Sequence, residues 1–205
     1  MSAPLTIDAP VRRRGFLVEG LSWLAVPVGF ALLLSRLWLY DTGSSRVPAL
    51  AAIFATLAAL SLAAPAGEDR LRPDAAASPP LRLWLVVGAG IAAVALAAGA
   101  STLPGPSLPA PGGLAVLALV AGTGVAEEAF FRRLLYGRLQ KWGAAVAVVG
   151  SAAAFGLMHV PLHGTAALPI DLGAGLFLSW QRWASGTWAA PAATHALANI
   201  VVVLR

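Results

Sequence analysis

The side chains in this sequence that could do bond-making chemistry fall mostly in its second half. Two carboxylates stand side by side at Glu127 and Glu128, with Arg132 shortly after. Three histidines follow, His159, His163 and His195, and there is no cysteine. Thiol nucleophiles, disulfides and cysteine metal sites are thereby excluded. Carboxylate plus imidazole is the combination that activates water, one group taking the proton while the other shares the water or passes the proton on. Glu127, His159 and His195 would also suffice to hold Zn²⁺ or another divalent ion with one position open. His195 and the amide of Asn199 could donate to an oxyanion.

Spacing sorts these residues into roles. Glu128 and Arg132 are four apart, so on a helix they share a face and can pair. Glu127 points about 100° away and has no partner on its own helix. Phe155 and His159, and again His195 and Asn199, are four apart and share faces in the same way. His163 follows Pro161 and reads as structural or solvent-facing, Asp171 as structural, and Glu19 as interfacial. Glu128 with Arg132, taken alone, reads as a buried structural ion pair. Glu127, His159 and His195 on three separate helices are much harder to explain as packing.

The elements that must position these groups are membrane helices. Of the 205 residues, 59% are hydrophobic and 11% charged, with mean hydropathy +0.79. A soluble domain carries about 25% charged residues. The fold expected is all-α: a polytopic helix bundle in the bilayer, packed through its abundant Gly and Ala. Seven apolar runs can be drawn, at 16–39, 48–64, 83–100, 114–135, 144–159, 168–183 and 188–204, with six to eight crossings compatible with their lengths. Residues 1–15 read as a cytoplasmic tail, 16–113 as three helices with their loops, and 114–205 as a catalytic four-helix core. Pro161 is expected to end the fifth run. Arg13-Arg14 before Phe16 resembles a twin-arginine export signal, but the run that follows is long and reads as a retained anchor.

The net charge of +5 belongs to flanks of apolar runs, so it speaks for orientation rather than for nucleic acid. With the N-terminus in the cytoplasm, eleven of the Lys and Arg residues lie inside and three (Arg36, Arg46, Arg205) outside. Trp142, Trp180, Trp183 and Trp188 then fall near the cytoplasmic interface. Counted from a turn near Trp142, Glu127 and His159 lie at nearly equal depth, about 22–26 Å. His195 reaches that depth only if the basic end of the fourth run projects past the turn near Gly186, or if that turn dips inward.

Glu127-Glu128-x-x-x-Arg132, Phe155-x-x-x-His159 and His195-x-x-x-Asn199, in this order and each within an apolar run, resemble the three-motif signature of the CPBP family. That family includes the type II CAAX prenyl endopeptidases and bacterial bacteriocin-processing or self-immunity proteins. The resemblance covers about residues 114–203. It implies an intramembrane protease, commonly called a metalloprotease, in which Glu127 and His159 activate water and His195 and Asn199 stabilise the oxyanion. Glu128, Arg132 and Phe155 would support them. The motif residues serve a metal-bound and a metal-free water equally well. The implied partners are the bilayer and a membrane-associated protein or peptide substrate, and the implied location is the plasma membrane, as a multi-pass protein of a bacterial inner membrane. Two other readings use the same pocket: a non-catalytic immunity or assembly factor, which would keep its function with Glu127 replaced, and a small transporter or proton relay. The absence of visible inverted repeats speaks against the last.

Overall fold

A computed structural model describes residues 9–40, 46–65, 79–100 and 113–204. The described residues form helices and no strand. Helix α1 spans Ala9–Tyr40, α2 Arg46–Ala63, α3 Pro79–Ala100 and α4 Gly113–Glu128. The last continues without a break through a π-helical segment, Ala129–Leu135, into the short α5, Tyr136–Leu139, and a closing 3₁₀ turn, Gln140–Trp142. Helices α6 (Ala144–His163), α7 (Leu168–Ser185) and α8 (Ala189–Val203) complete the bundle. The side chains of Arg12, Arg13, Arg14, Glu19, Arg46, Arg70, Arg72, Arg82 and Arg205, on which much of the charge count rests, lie outside the description.

Two continuous stretches, Gly113–Trp142 and Ala144–His163, are long and apolar enough to cross a membrane. The other apolar helices are shorter by the same measure. The boundaries differ from expectation at two places. Helix α1 begins at Ala9, before the apolar run. Helix α6 passes through Pro161 to His163. In this last turn the proline forfeits a single bond, so the helix tolerates it. Gly164, at φ 78°, ends α6 instead, taking the left-handed conformation that glycine adopts most easily.

The continuous helix from Gly113 to Trp142 is the centre of the bundle. Phe130, Phe131 and Leu134 of its π segment are fully buried and pack against Leu33 of α1, Leu57 of α2 and Phe155 of α6. Gly29 of α1 lies so close to Phe130 that a β-carbon there would overlap the ring. Arg133 donates to the carbonyls of Ser61 and Ala64, and Arg138 to that of Pro65. Both arginines thus cap the carbonyl end of α2, where a helix favours cations. Helices α6 and α7 form the most extensive pair, joined by a buried Ser151–Ser179 hydroxyl contact of 3.0 Å. Helix α3 packs on α7 and α8, where Gln181 donates to Val86 O at 3.1 Å and to Thr194 Oγ1 at 3.0 Å.

The depth problem for His195 resolves through α7. Arg182, near the C-terminus of α7, donates to the carbonyl of Arg132 at 3.1 Å. The α7–α8 turn therefore lies level with the π segment, and the basic stretch through Lys141 runs past it. Gly186 closes α7 with φ 70°, another left-handed glycine cap.

Candidate active site

The helix that carries the first motif changes pitch within it, between Glu128 and Arg132. Beyond Glu128 the Tyr136 N–H donates to Phe131 O, five residues back, which is the π pattern. Such segments often occur at functional sites. A π turn is wider than an α turn and re-aims the side chains that follow. Sequence spacing reads a regular helix here and does not reveal it.

Glu127 is 4% exposed. Its Oε1 accepts from Arg36 Nη1 of α1 at 2.5 Å. Its Oε2 lies 3.7 Å from His159 Nε2 and 3.9 Å from His195 Nε2. Three of the expected residues, from α4, α6 and α8, thus converge on one carboxylate oxygen. Glu128 is fully buried, and its Oε1 accepts from Arg132 Nη1 at 2.8 Å and from His195 Nδ1 at 2.9 Å. Arg132 also donates to Gly175 O of α7 at 3.0 Å and stands 4.6 Å over the ring of Phe155. Phe155 is the shared platform, with its centroid 4.3 Å from that of His159 and 5.6 Å from that of His195.

The outer partners fix the imidazole tautomers. His159 Nδ1 faces Phe155 O at 2.8 Å. A carbonyl only accepts, so Nδ1 carries the proton, and the Nε2 of the neutral ring is left as an acceptor toward Glu127. Carboxylate Oε2 and imidazole Nε2 are then two acceptors 3.7 Å apart, and a water donating to both satisfies them. His195 likewise donates its Nδ1 proton to Glu128 and turns Nε2 toward Glu127.

Asn199 stands one turn beyond His195, but both its amide protons point to α4, to Val120 O at 3.0 Å and to Thr123 Oγ1 at 3.4 Å. His163 and Asp171, which spacing left unrelated, lie 3.2 Å apart. His159, His163, Asp171, His195 and Asn199 line one cavity of about 620 Å³ between α3, α6, α7 and α8, whose remaining walls are mostly apolar, among them Ile170 and Phe177.

The residue that sequence reasoning missed is Arg36. It was assigned to the outer flank of the first run, yet it is 4% exposed and bonded to Glu127. Glu127 therefore does have a partner, 91 positions away. Two signals pointed to it. Arg36 sits within an apolar stretch, Leu32–Leu39, and two buried carboxylates need more than the single cation Arg132.

Glu127, His159 and His195 are also the possible ligands of a divalent ion. A zinc centre needs its N and O donors about 2.0–2.2 Å from one point. Among the described residues no group of three or more His, Asp or Glu side chains is arranged to hold a metal ion. The Arg36 guanidinium bound to Glu127 further opposes a second cation at that carboxylate.

Residues 109–201 match the family described as Type II CAAX prenyl endopeptidase Rce1-like. This segment is similar to the CAAX-protease family. The matched stretch contains all seven motif residues on α4, the π segment, α6 and α8. Helices α1, α2 and α3 of the chain lie before it. No curated protein and no solved structure matches the chain. The Rce1-like family consists of membrane-embedded proteases, in keeping with the two helices here that are long and apolar enough to cross a membrane.

Proposed function

We propose that the protein is a multi-pass membrane endopeptidase, with its N-terminus in the cytoplasm of a bacterial cell, that hydrolyses a peptide bond of a membrane-associated protein or peptide by water activation. The observation that carries this reading is the approach of His159 and His195 to the same oxygen of Glu127. A water between Glu127 Oε2 and His159 Nε2 gives a proton to the carboxylate as its oxygen bonds to the peptide carbonyl carbon. The C=O electron pair moves onto the carbonyl oxygen. His195, its Nδ1–H held by Glu128, donates from a protonated Nε2 to that oxyanion. Collapse re-forms the carbonyl and breaks the C–N bond, and the proton held by Glu127 goes to the departing nitrogen. The products are a carboxylic acid and an amine, and the acid's proton passes to the amine to give a carboxylate and an ammonium group. Glu128 and Arg132 orient His195, and Phe155 seats both rings. Asn199, with its amide protons directed to α4, fixes the position of α8 rather than donating to the oxyanion.

The test is cleavage of a quenched fluorescent CAAX peptide by purified protein in detergent, with farnesylated and unprenylated forms run side by side. Glu127→Gln and His159→Ala are expected to lose cleavage by at least ~10²-fold while keeping the wild-type melting profile to within a few degrees. Wild-type turnover by either variant would remove the proposed water activation and favour a pocket that only binds.

A further inference from the structure

Arg36 and Arg132 are both deeply buried cations, but they are satisfied very differently. Arg132 has a carboxylate, a backbone carbonyl and an aromatic face, and among the described residues only its Nε lacks a partner. Arg36 has one contact, Nη1 to Glu127, and among the described residues its Nε and Nη2 have no partner. Burying a charge is expensive, and a buried donor without a partner costs about 1–3 kcal/mol. A cation kept for packing alone would be better satisfied. Such an exception calls for an explanation at the site it serves.

The charges supply one. Two carboxylates, Glu127 and Glu128, and two guanidinium groups, Arg36 and Arg132, occupy the buried centre. Glu128 already serves Arg132 and His195. Arg36 is therefore the cation that matches Glu127. It also holds Oε1, which leaves Oε2 as the oxygen facing His159 and His195. Arg36 comes from α1, outside the matched residues 109–201.

We infer that Arg36 is a positioning residue for Glu127: it keeps the carboxylate ionised and fixes Oε2 as the oxygen that takes the proton from water, so that α1 is part of the active site. This rests on Glu127 acting as the base. Its test separates the two ideas. Arg36→Met, Arg36→Lys, Glu127→Gln and the double variant Arg36→Met/Glu127→Gln are compared with the wild type in detergent. The state of Glu127 is read without substrate, by infrared difference spectra against Glu127→Gln. The expected spectra show a carboxylate band in the wild type and in Arg36→Lys, and a protonated carboxyl band in Arg36→Met.

In the peptide assay Arg36→Met is expected to lower kcat about 100-fold, the loss typical of a misplaced catalytic group, with KM unchanged. Arg36→Lys should recover part of that loss. If Arg36→Met cannot be purified, Arg36→Lys carries the test, because it keeps the charge but not the planar fork: an ionised Glu127 with reduced kcat supports the inference. A carboxylate band and wild-type kcat in Arg36→Met, or wild-type kcat in Arg36→Lys alone, overturns it. Full activity of Glu127→Gln would instead overturn the base assignment, leaving the infrared result to stand by itself.

Discussion

At the scale of single residues the site is a balance of buried charges, and each is fixed by partners on other helices. Glu128 receives Arg132 and His195, and Arg132 in turn reaches Gly175 and Phe155. Removing one member of a buried pair leaves the other uncompensated, at a cost of about 3–5 kcal/mol. Arg132→Met and Glu128→Gln are thus each expected to lower stability strongly, while the double variant loses less than the sum. A double-mutant cycle of thermal unfolding measures this coupling, and strict additivity would show that the pair is not energetically linked. This pair was legible in the sequence, since four-residue spacing on a helix brings its members together. Arg36 was not, because its partner is 91 positions away and no periodicity relates two helices. Asn199 was placed correctly beside His195 on its helix, but spacing does not show where an amide spends its protons.

At the scale of elements, the geometry around Oε2 depends on close helix approach. Helices α6 and α7 meet where Gly175 faces the backbone of Ala152. A β-carbon at Gly175 would lie 2.8 Å from Ala152 O, a contact that no side-chain rotation relieves. The same glycine's carbonyl receives Arg132. Gly175→Ala should therefore part α6 from α7, displace His159 relative to Glu127 and destabilise by about 1–3 kcal/mol. Gly122→Ala, with nothing within 4 Å of the new carbon, should stay within about 0.5 kcal/mol of the wild type. Thermal unfolding of both variants in detergent checks the contrast, and equal stability would mean that the α6–α7 approach has slack. The existence and order of the helices were legible from apolar runs and breaks. The π segment was not, since its signal is a change of hydrogen-bond register with no marker in composition. The end of α6 was misread because proline weakens the last turn of a helix far less than it does the middle.

At the scale of the whole molecule, the bundle has two ends that the chemistry distinguishes. At one, Lys141 lies over the rings of Trp23 at 4.9 Å and Trp142 at 4.5 Å, a cation and indoles of the kind that gather at a membrane surface. From there α6 runs 20 residues to His163. At 1.5 Å per residue that is about 30 Å, the thickness of the hydrocarbon core. Residues Lys141 and Thr165, both exposed, should then face opposite sides. In the proposed orientation, with the excess of Lys and Arg inside, the Lys141 end faces the cytoplasm. Because the chain has no cysteine, a single introduced thiol reports its own side without background. Lys141→Cys in intact cells is expected to resist a membrane-impermeant maleimide until the cells are opened, and Thr165→Cys to react at once. Reaction of both from the same side would mean that the helix from Ala144 to His163 does not cross, and the reverse pattern would invert the orientation. Either result would change the side from which the proposed substrate reaches the Glu127 site.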